Sequence, residues 1–554
     1  MSDTLSSTKP IFTDPEWTLE LIDEVTKAIK TIADEELGLS YYPMQIRIIT
    51  SEQMLDAYSS VGMPVGYAHW SFGKQFLMNE RAYQSGEMGL AYEIVINTDP
   101  CLVYCMEDNT MTMQTLVIAH AGFGHNAFFK NNYLFRRWTH ADGILDYLLF
   151  AKNFVSECEE RYGIEEVSYF LDACHALQMY GVDRFKRPAK LSFAQEKAKM
   201  QFREEETQRN LNVLYRTLPP SKKEEGGNKR NPSHTNPDGT TVNFPKEPEE
   251  NILYFVEKHA PHLPTWKREI IRIVRKVGQY FYPQRQTQVM NEGFACFTHY
   301  YMMTRLYEKG LVSEGAYQEF LISHTNVVFQ PEYDARRKVV RGYDSSGKPI
   351  IEEVSIFSGI NPYALGFAMY MDIKRICEEP TDEDRKWFPD IAGTPWLPAI
   401  LYAMENFKDE SFILQYLSPH LIRKLRFFAI CDDDLDEEIE VSAIHDDDGY
   451  QLIREKLAAQ YDLGVQTPNI QVVHVDVRGD RELVLEHHAV NRRPLDGDAV
   501  IETLFCLREL WEHPVKLESY ASEMGLMESW AIDEEGDLEY IEGDLDFNFP
   551  SSKN

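Results

Sequence analysis

The chain has 554 residues, 43% of them hydrophobic and 12% aromatic, with a formal net charge of −33. That length exceeds what a single hydrophobic core serves, so two to four domains are expected. The negative charge excludes nucleic acid or an anionic membrane as the main partner, because binding phosphates needs clustered Lys and Arg.

A first helix is predicted from Trp17 to Leu37, where Leu19, Leu21, Ile22, Val25, Ala28, Ile29 and Ile32 recur at helical spacing. The aromatic run Met63-Pro-Val-Gly-Tyr-Ala-His-Trp-Ser-Phe72 is expected to pack over something, with His69 either a core histidine or a site residue. Leu90 to Asn97 reads as a buried strand, closed by Asp99-Pro100. Gln114 to Asn132 follows as a long apolar helix that carries His120, Gly122, Gly124 and His125 and ends in an asparagine-rich turn. A strand feeding a histidine-bearing helix is one way to build a metallohydrolase, with the strand edge holding an extended substrate. Helices are expected from Ile144 to Gly181, with Gly163 as a C-cap between two of them and His175 on the second.

Residues 189 to 217 read as a charged helix, and residues 218 to 250 as a flexible insertion too poor in apolar groups to offset its own ordering. A helix from Thr265 to Phe281 leads to a second apolar helix with polar residues inside it, Met290-Asn-Glu-Gly-Phe-Ala-Cys-Phe-Thr-His-Tyr-Tyr301. Residues 333 to 357 carry a hairpin signal around Tyr343 to Gly347. Asn361 and Pro362 are the N-cap and first residue of another helix.

These elements give an α+β protein. Residues 1 to 420 form a mainly helical domain with a small sheet, residues 421 to 520 a smaller α/β-type domain, and residues 521 to 554 an acidic tail. No run of about 18 apolar residues suggests a membrane span, and the polar N-terminus has no signal core. Eight cysteines stand singly without a CxxC pair, which fits a reducing cytoplasm.

The chemistry gathers on the two polar-in-apolar helices. Burying ionisable groups costs several kcal/mol unless they are paired or hold a metal. Hydrolytic zinc sites commonly use two His and one carboxylate, so His120, His125 and Glu292 are the candidate metal ligands. His120 and His125 lie five residues apart, about 140° around a regular helix, so one ion would not normally reach both. A break or bulge at Gly122 and Gly124 would rescue the geometry. His299, two turns after Glu292 on the same face, is a candidate fourth ligand, proton shuttle or substrate contact. Glu159 and Asp183 are candidates for general base or for support of the ligands, and Asn291 and Tyr300 for orienting them. Each of these residues also has an ordinary reading as an ion pair or a buried polar group.

Asn291-Glu-Gly-Phe-Ala295 is similar to the NEGFA helix of the gluzincin metallopeptidases, in which the Glu is the third zinc ligand. Their HExxH motif has no counterpart in this chain. The segments TLVIAHAGFGHNAFFKNN, MPVGYAHWSFGK, YEIVINTDP, CHALQMYGVDRFKRP, NEGFACFTHYYM and INPYALGFAMYMDI together resemble the SpoVR family. The likeness spans about residues 10 to 520. It implies a bacterial cytoplasmic protein, linked in some relatives to spore cortex formation. In others it implies association with a PrkA-type serine kinase and a further partner encoded alongside. Two functions stay open at this point. One is a hydrolase of an amide or peptide bond, dependent on a divalent metal, zinc first. The other is a non-enzymatic regulator or scaffold of that kinase pathway.

Overall fold

The computed structural model describes residues 9–59, 63–71, 74, 77–78, 81, 93–184, 244–343, 348–357, 359–428, 430–431, 440–441, 445–477, 479–489, 494–521 and 525–542. The expected helix at 189–217 and most of the expected insertion at 218–250 lie outside these residues.

One compact unit comprises Met1–Ser156 and Tyr280–Leu463. It opens with the helix Leu19–Glu35, where Thr18 accepts a hydrogen bond from the Leu21 amide and Ile22, Val25, Ile29 and Ile32 bury the apolar stripe. A three-stranded sheet follows in the order Met44–Ile49, Cys101–Met106, Glu93–Ile96. The first pair is parallel and the second antiparallel. The central strand is buried almost end to end, which accounts for its unbroken apolar run.

Two helical runs cross the core. The first consists of Met111–Val117, a π-helical Ile118–His125, and Asn126–Asn131. The second is the helix Gln288–Glu308. Glycines set how closely these pack. A Cβ on Gly124 would lie 2.7 Å from Ala295 Cα, and a Cβ on Gly366 would lie 2.0 Å from the Val289 carbonyl oxygen. Gly366 sits on Pro362–Glu378, which therefore packs backbone to backbone on Gln288–Glu308. Thr287 gives that helix no side-chain cap. Asp409 supplies one from a distance, its carboxylate accepting from the amides of Val289 at 2.9 Å and Met290 at 2.8 Å.

The asparagine-rich turn is structural. Asn126 accepts from the Tyr42 amide and donates to the Tyr42 carbonyl, both at 2.8 Å. Asn132 caps Tyr133–Trp138 and donates to the carbonyls of Met404 and Phe407. The expected hairpin forms from Arg336–Tyr343 and Pro349–Ser355, and Asn361 caps Pro362–Glu378 with Pro362 in its first turn.

The other unit comprises Glu157–Gln279 and Gly464–Asn554. Its five-stranded sheet runs in the order Leu538–Glu542, Gly525–Ile532, Val515–Ala521, Leu483–Ala489, Ile470–Val475. Leu483–Ala489 and Val515–Ala521 are parallel and connect through the helix Gly497–Trp511, while the other pairs are antiparallel. That helix packs on Ile164–Ala176. The α+β class holds. The sheet runs past residue 520, into the stretch expected to be an acidic tail, because Trp530 and Ile532 supply buried apolar groups between acidic neighbours. The two units interleave along the chain, whereas the sequence reading divides it in series at residue 420.

Candidate metal centre

His120 and His125 both lie on the π-helical segment. A π-helix bonds residue i to i+5, one residue wider per turn than an α-helix. That extra residue brings side chains five apart onto nearly one face. The two Nε2 atoms stand 3.1 Å from each other. Gly124 lets this widened turn lie against Ala295, one turn beyond Glu292. Glu292 Oε2 is then 3.4 Å from His125 Nε2 and 3.8 Å from His120 Nε2. The three sequence-predicted ligands are thus brought together, within 4.8 Å of one another.

The donor set fits a small divalent cation. Bonds of 2.0–2.2 Å in tetrahedral array put ligand atoms about 3.4 Å apart, and the observed 3.1, 3.4 and 3.8 Å straddle that value. Glu292 Oε2 is buried with no close hydrogen bond; its nearest partners are His125 at 3.4 Å and the Tyr363 hydroxyl, so a cation, either a metal or a protonated His125, offsets the cost of its burial.

Asn291 Oδ1 lies 2.9 Å from His125 Nδ1. The amide oxygen can only accept, so Nδ1 carries the proton and Nε2 offers a lone pair to the cavity. His120 Nδ1 lies 2.9 Å from His299 Nδ1, and His299 Nε2 lies 2.7 Å from His324 Nδ1. Donation in one direction along this chain, from His120 to His299 to His324, likewise frees His120 Nε2. His299 therefore stands behind His120, away from the cavity. Tyr300 packs on His324, ring centroids 5.1 Å apart. Cys296 is buried beside His120 and His299, its thiol pushed far up by burial.

Burial lowers His120 and His299 well below the usual histidine range, with neighbouring histidines adding to the effect, and lowers His324 to about 4. His125 moves the other way. Burial opposes its charge, but Glu292, Asn291 and Glu93 together outweigh that.

A cavity of about 400 Å³ opens in front of these groups, lined by Glu93, Ile94, Val95, Ile96, Asn97, His120, His125, Glu292, Phe129, Phe135, Tyr280, Phe281, Gln284, Tyr363 and Met63. Glu93 and Tyr363 were not picked out from the sequence. Glu93 Oε1 lies 3.6 Å from His120 Nε2 and keeps 17% side-chain exposure. Burial, with Glu292 adding and His125 opposing, raises it to about 7. Burial and the two carboxylates hold the Tyr363 hydroxyl firmly protonated. Glu93 had one signal in the sequence, a lone acid in an otherwise apolar strand. Tyr363 had none, since an aromatic in the first turn of a helix is ordinary. Glu159 lies on Ile144–Tyr162 and Asp183 follows Gln178–Tyr180. Both belong to the unit that does not hold the centre, and neither lines its cavity. His69 bonds Ser71 Oγ through Nδ1 at 2.7 Å.

The chain matches the family model "SpoVR like protein" over residues 16–466 and "SpoVR-like C-terminal domain" over residues 468–522. The chain belongs to the SpoVR family. It is 54% identical over 504 residues to "Uncharacterized protein YcgB" of Escherichia coli (strain K12), covering 91% of this chain and 92% of the relative. No solved structure matches it. The boundary between the two family segments falls close to Leu463, where the chain passes between the two units. No helix among the described residues is long and apolar enough to cross a membrane.

The hydrogen-bonded support behind this SpoVR centre makes a prediction. For a metal held at His120, replacing His299 with Ala is expected to weaken binding about 10–100-fold, because His120 loses the partner that fixes its ring. Chelator competition measures this, and an unchanged affinity would contradict the orienting role.

Proposed function

We propose that the protein is a metal-dependent hydrolase of an amide or peptide bond. The observation that carries this reading is the convergence of His120 Nε2, His125 Nε2 and Glu292 Oε2 on one wall of a 400 Å³ cavity. Two imidazoles and a carboxylate are the ligand set of many hydrolytic zinc sites, which keep a position open to water. Zinc is the first choice of metal. When bound, the cation supplies Lewis acidity and a more acidic water.

The other tasks fall to side chains of the chain itself. Glu93, facing His120 at 3.6 Å, takes the proton of the attacking water and returns it to the departing amine. The Tyr363 hydroxyl donates to the oxyanion that develops on the substrate carbonyl. Asn291 and His299 hold the two imidazole rings in place. Phe129, Phe135 and Phe281 give the cavity an apolar wall that limits bulk water.

We infer a cytoplasmic setting in a stress or sporulation pathway linked to a PrkA-type serine kinase. The support is the family resemblance together with the free thiols of Cys101, Cys105, Cys158, Cys174, Cys296, Cys377 and Cys506. Peptide bonds of cell-wall precursors are a substrate class present in that compartment.

The test uses protein loaded in turn with zinc, manganese and iron, incubated with linear peptides and with cell-wall stem peptides, and read by mass spectrometry. Cleavage that is lost in His125→Ala and Glu292→Ala supports the proposal. Loaded, folded protein that cleaves nothing in either panel favours the scaffold reading.

A further inference from the structure

We propose that the outer edge of the strand Glu93–Ile96 is the substrate-binding rail of this centre, taking an extended peptide backbone through the amide and carbonyl of Val95. This rests on the hydrolase reading above and names its substrate class.

Three observations carry the inference. First, the strand is at the edge of its sheet, pairing with Cys101–Met106 and with no other strand among the described residues. Second, five consecutive residues, Glu93 to Asn97, line the cavity. Side chains of a strand alternate between faces, so an unbroken series means that the cavity meets the strand edge-on. Third, the hydrogen-bond pattern says which backbone groups face out. The Cys101 amide donates to the Pro43 carbonyl and the Glu107 amide to the Ile49 carbonyl. Odd-numbered residues of the central strand therefore serve Met44–Ile49, leaving Leu102 and Tyr104 to serve the edge strand. Their partners in register are Ile96 and Ile94. The backbone groups of Glu93 and Val95 consequently point to the open side.

The Asn97 carbonyl already takes a donor from the cavity wall, the Tyr280 hydroxyl at 2.7 Å. Val95 lies two residues from the Glu93 carboxylate. A peptide added there by strand pairing would pass the His120, His125 and Glu292 cluster with its backbone in register. A compact amide or a sugar amide has no such run of alternating donors and acceptors to match this edge.

The test compares acetohydroxamate, which needs only the metal, with acetyl-Ala-Ala-hydroxamate on zinc-loaded protein by calorimetry. Val95→Pro removes the outward N–H without breaking a ladder hydrogen bond, at an edge where proline is tolerated. Wild type is expected to bind the peptidyl compound about tenfold tighter than acetohydroxamate, from two backbone hydrogen bonds. Val95→Pro removes one of these two bonds, so it should bind the peptidyl compound about threefold more weakly than wild type does and keep acetohydroxamate affinity. Amide exchange at Val95 should slow in the wild-type complex. Equal peptide affinity in Val95→Pro, with no exchange protection, overturns the rail while leaving the metal centre standing. Failure of acetohydroxamate itself to bind overturns the metal reading and the rail with it.

Discussion

Replacing Glu93 with Gln is expected to cut amide hydrolysis by about 10²–10⁴-fold while metal content stays at the wild-type level. The two carboxylates of the cavity are placed for different work. Glu292 rides on Gln288–Glu308, whose first turn is pinned by Asp409, and it approaches both imidazoles at 3.4 and 3.8 Å. Glu93 comes from the edge strand and approaches only His120, at 3.6 Å. Gln keeps the size and one acceptor oxygen but carries no exchangeable carboxyl proton. Metal content and turnover on the same preparation separate the roles. Lost metal would reassign Glu93 as a ligand, and unchanged turnover would remove it from the chemistry.

The second large effect is expected at the helix contact that carries Glu292. Gly366→Ala puts a methyl where the Val289 carbonyl oxygen lies 2.0 Å away and Gly293 Cα 2.7 Å away. Both obstacles are backbone, so the helices must part. Overpacking of this kind costs about 1–3 kcal/mol and sometimes more, against a gain of about 1 kcal/mol from better helix propensity. With two backbone obstacles the cost falls at the upper end of that range, so we expect a net loss of about 2 kcal/mol and a Tm lower by several degrees. Gly315→Ala is the control, since nothing lies within 4 Å of its added Cβ. It should leave Tm unchanged or raise it slightly. A Gly366→Ala protein as stable as wild type would show that the contact is looser than the structure has it.

Much of this centre could be read from local pattern. His120, His125 and Glu292 stood out because ionisable groups in apolar helices need a reason, and Gly122 and Gly124 marked where the helix would have to change its winding. The π-helical turn is how it does so. The helix Leu19–Glu35 and the cap at Asn361 followed from spacing and cap chemistry alone. What escaped depended on long-range pairing. Glu93 was visible as the lone acid of an apolar strand, but nothing local pointed it toward His120. Asp409 caps a helix that begins at Gln288, and nothing near either residue announces the pairing. His299 shared the Glu292 face by periodicity, yet His324, on a different helix, helps draw it behind His120. The strands after residue 520 were hidden by composition, because acidic residues on the outward positions dominate the average while Trp530 and Ile532 do the packing.

In the function proposed above, His120, His125 and Glu292 together hold one divalent metal. Elemental mass spectrometry on protein purified without chelator, wild type beside His120→Ala, His125→Ala and Glu292→Ala, with folding checked by circular dichroism, tests it most directly. Wild type is expected to carry close to one equivalent of metal, and each folded variant to lose it. A folded wild type that holds no metal, even after dialysis against zinc, manganese or iron, would contradict it.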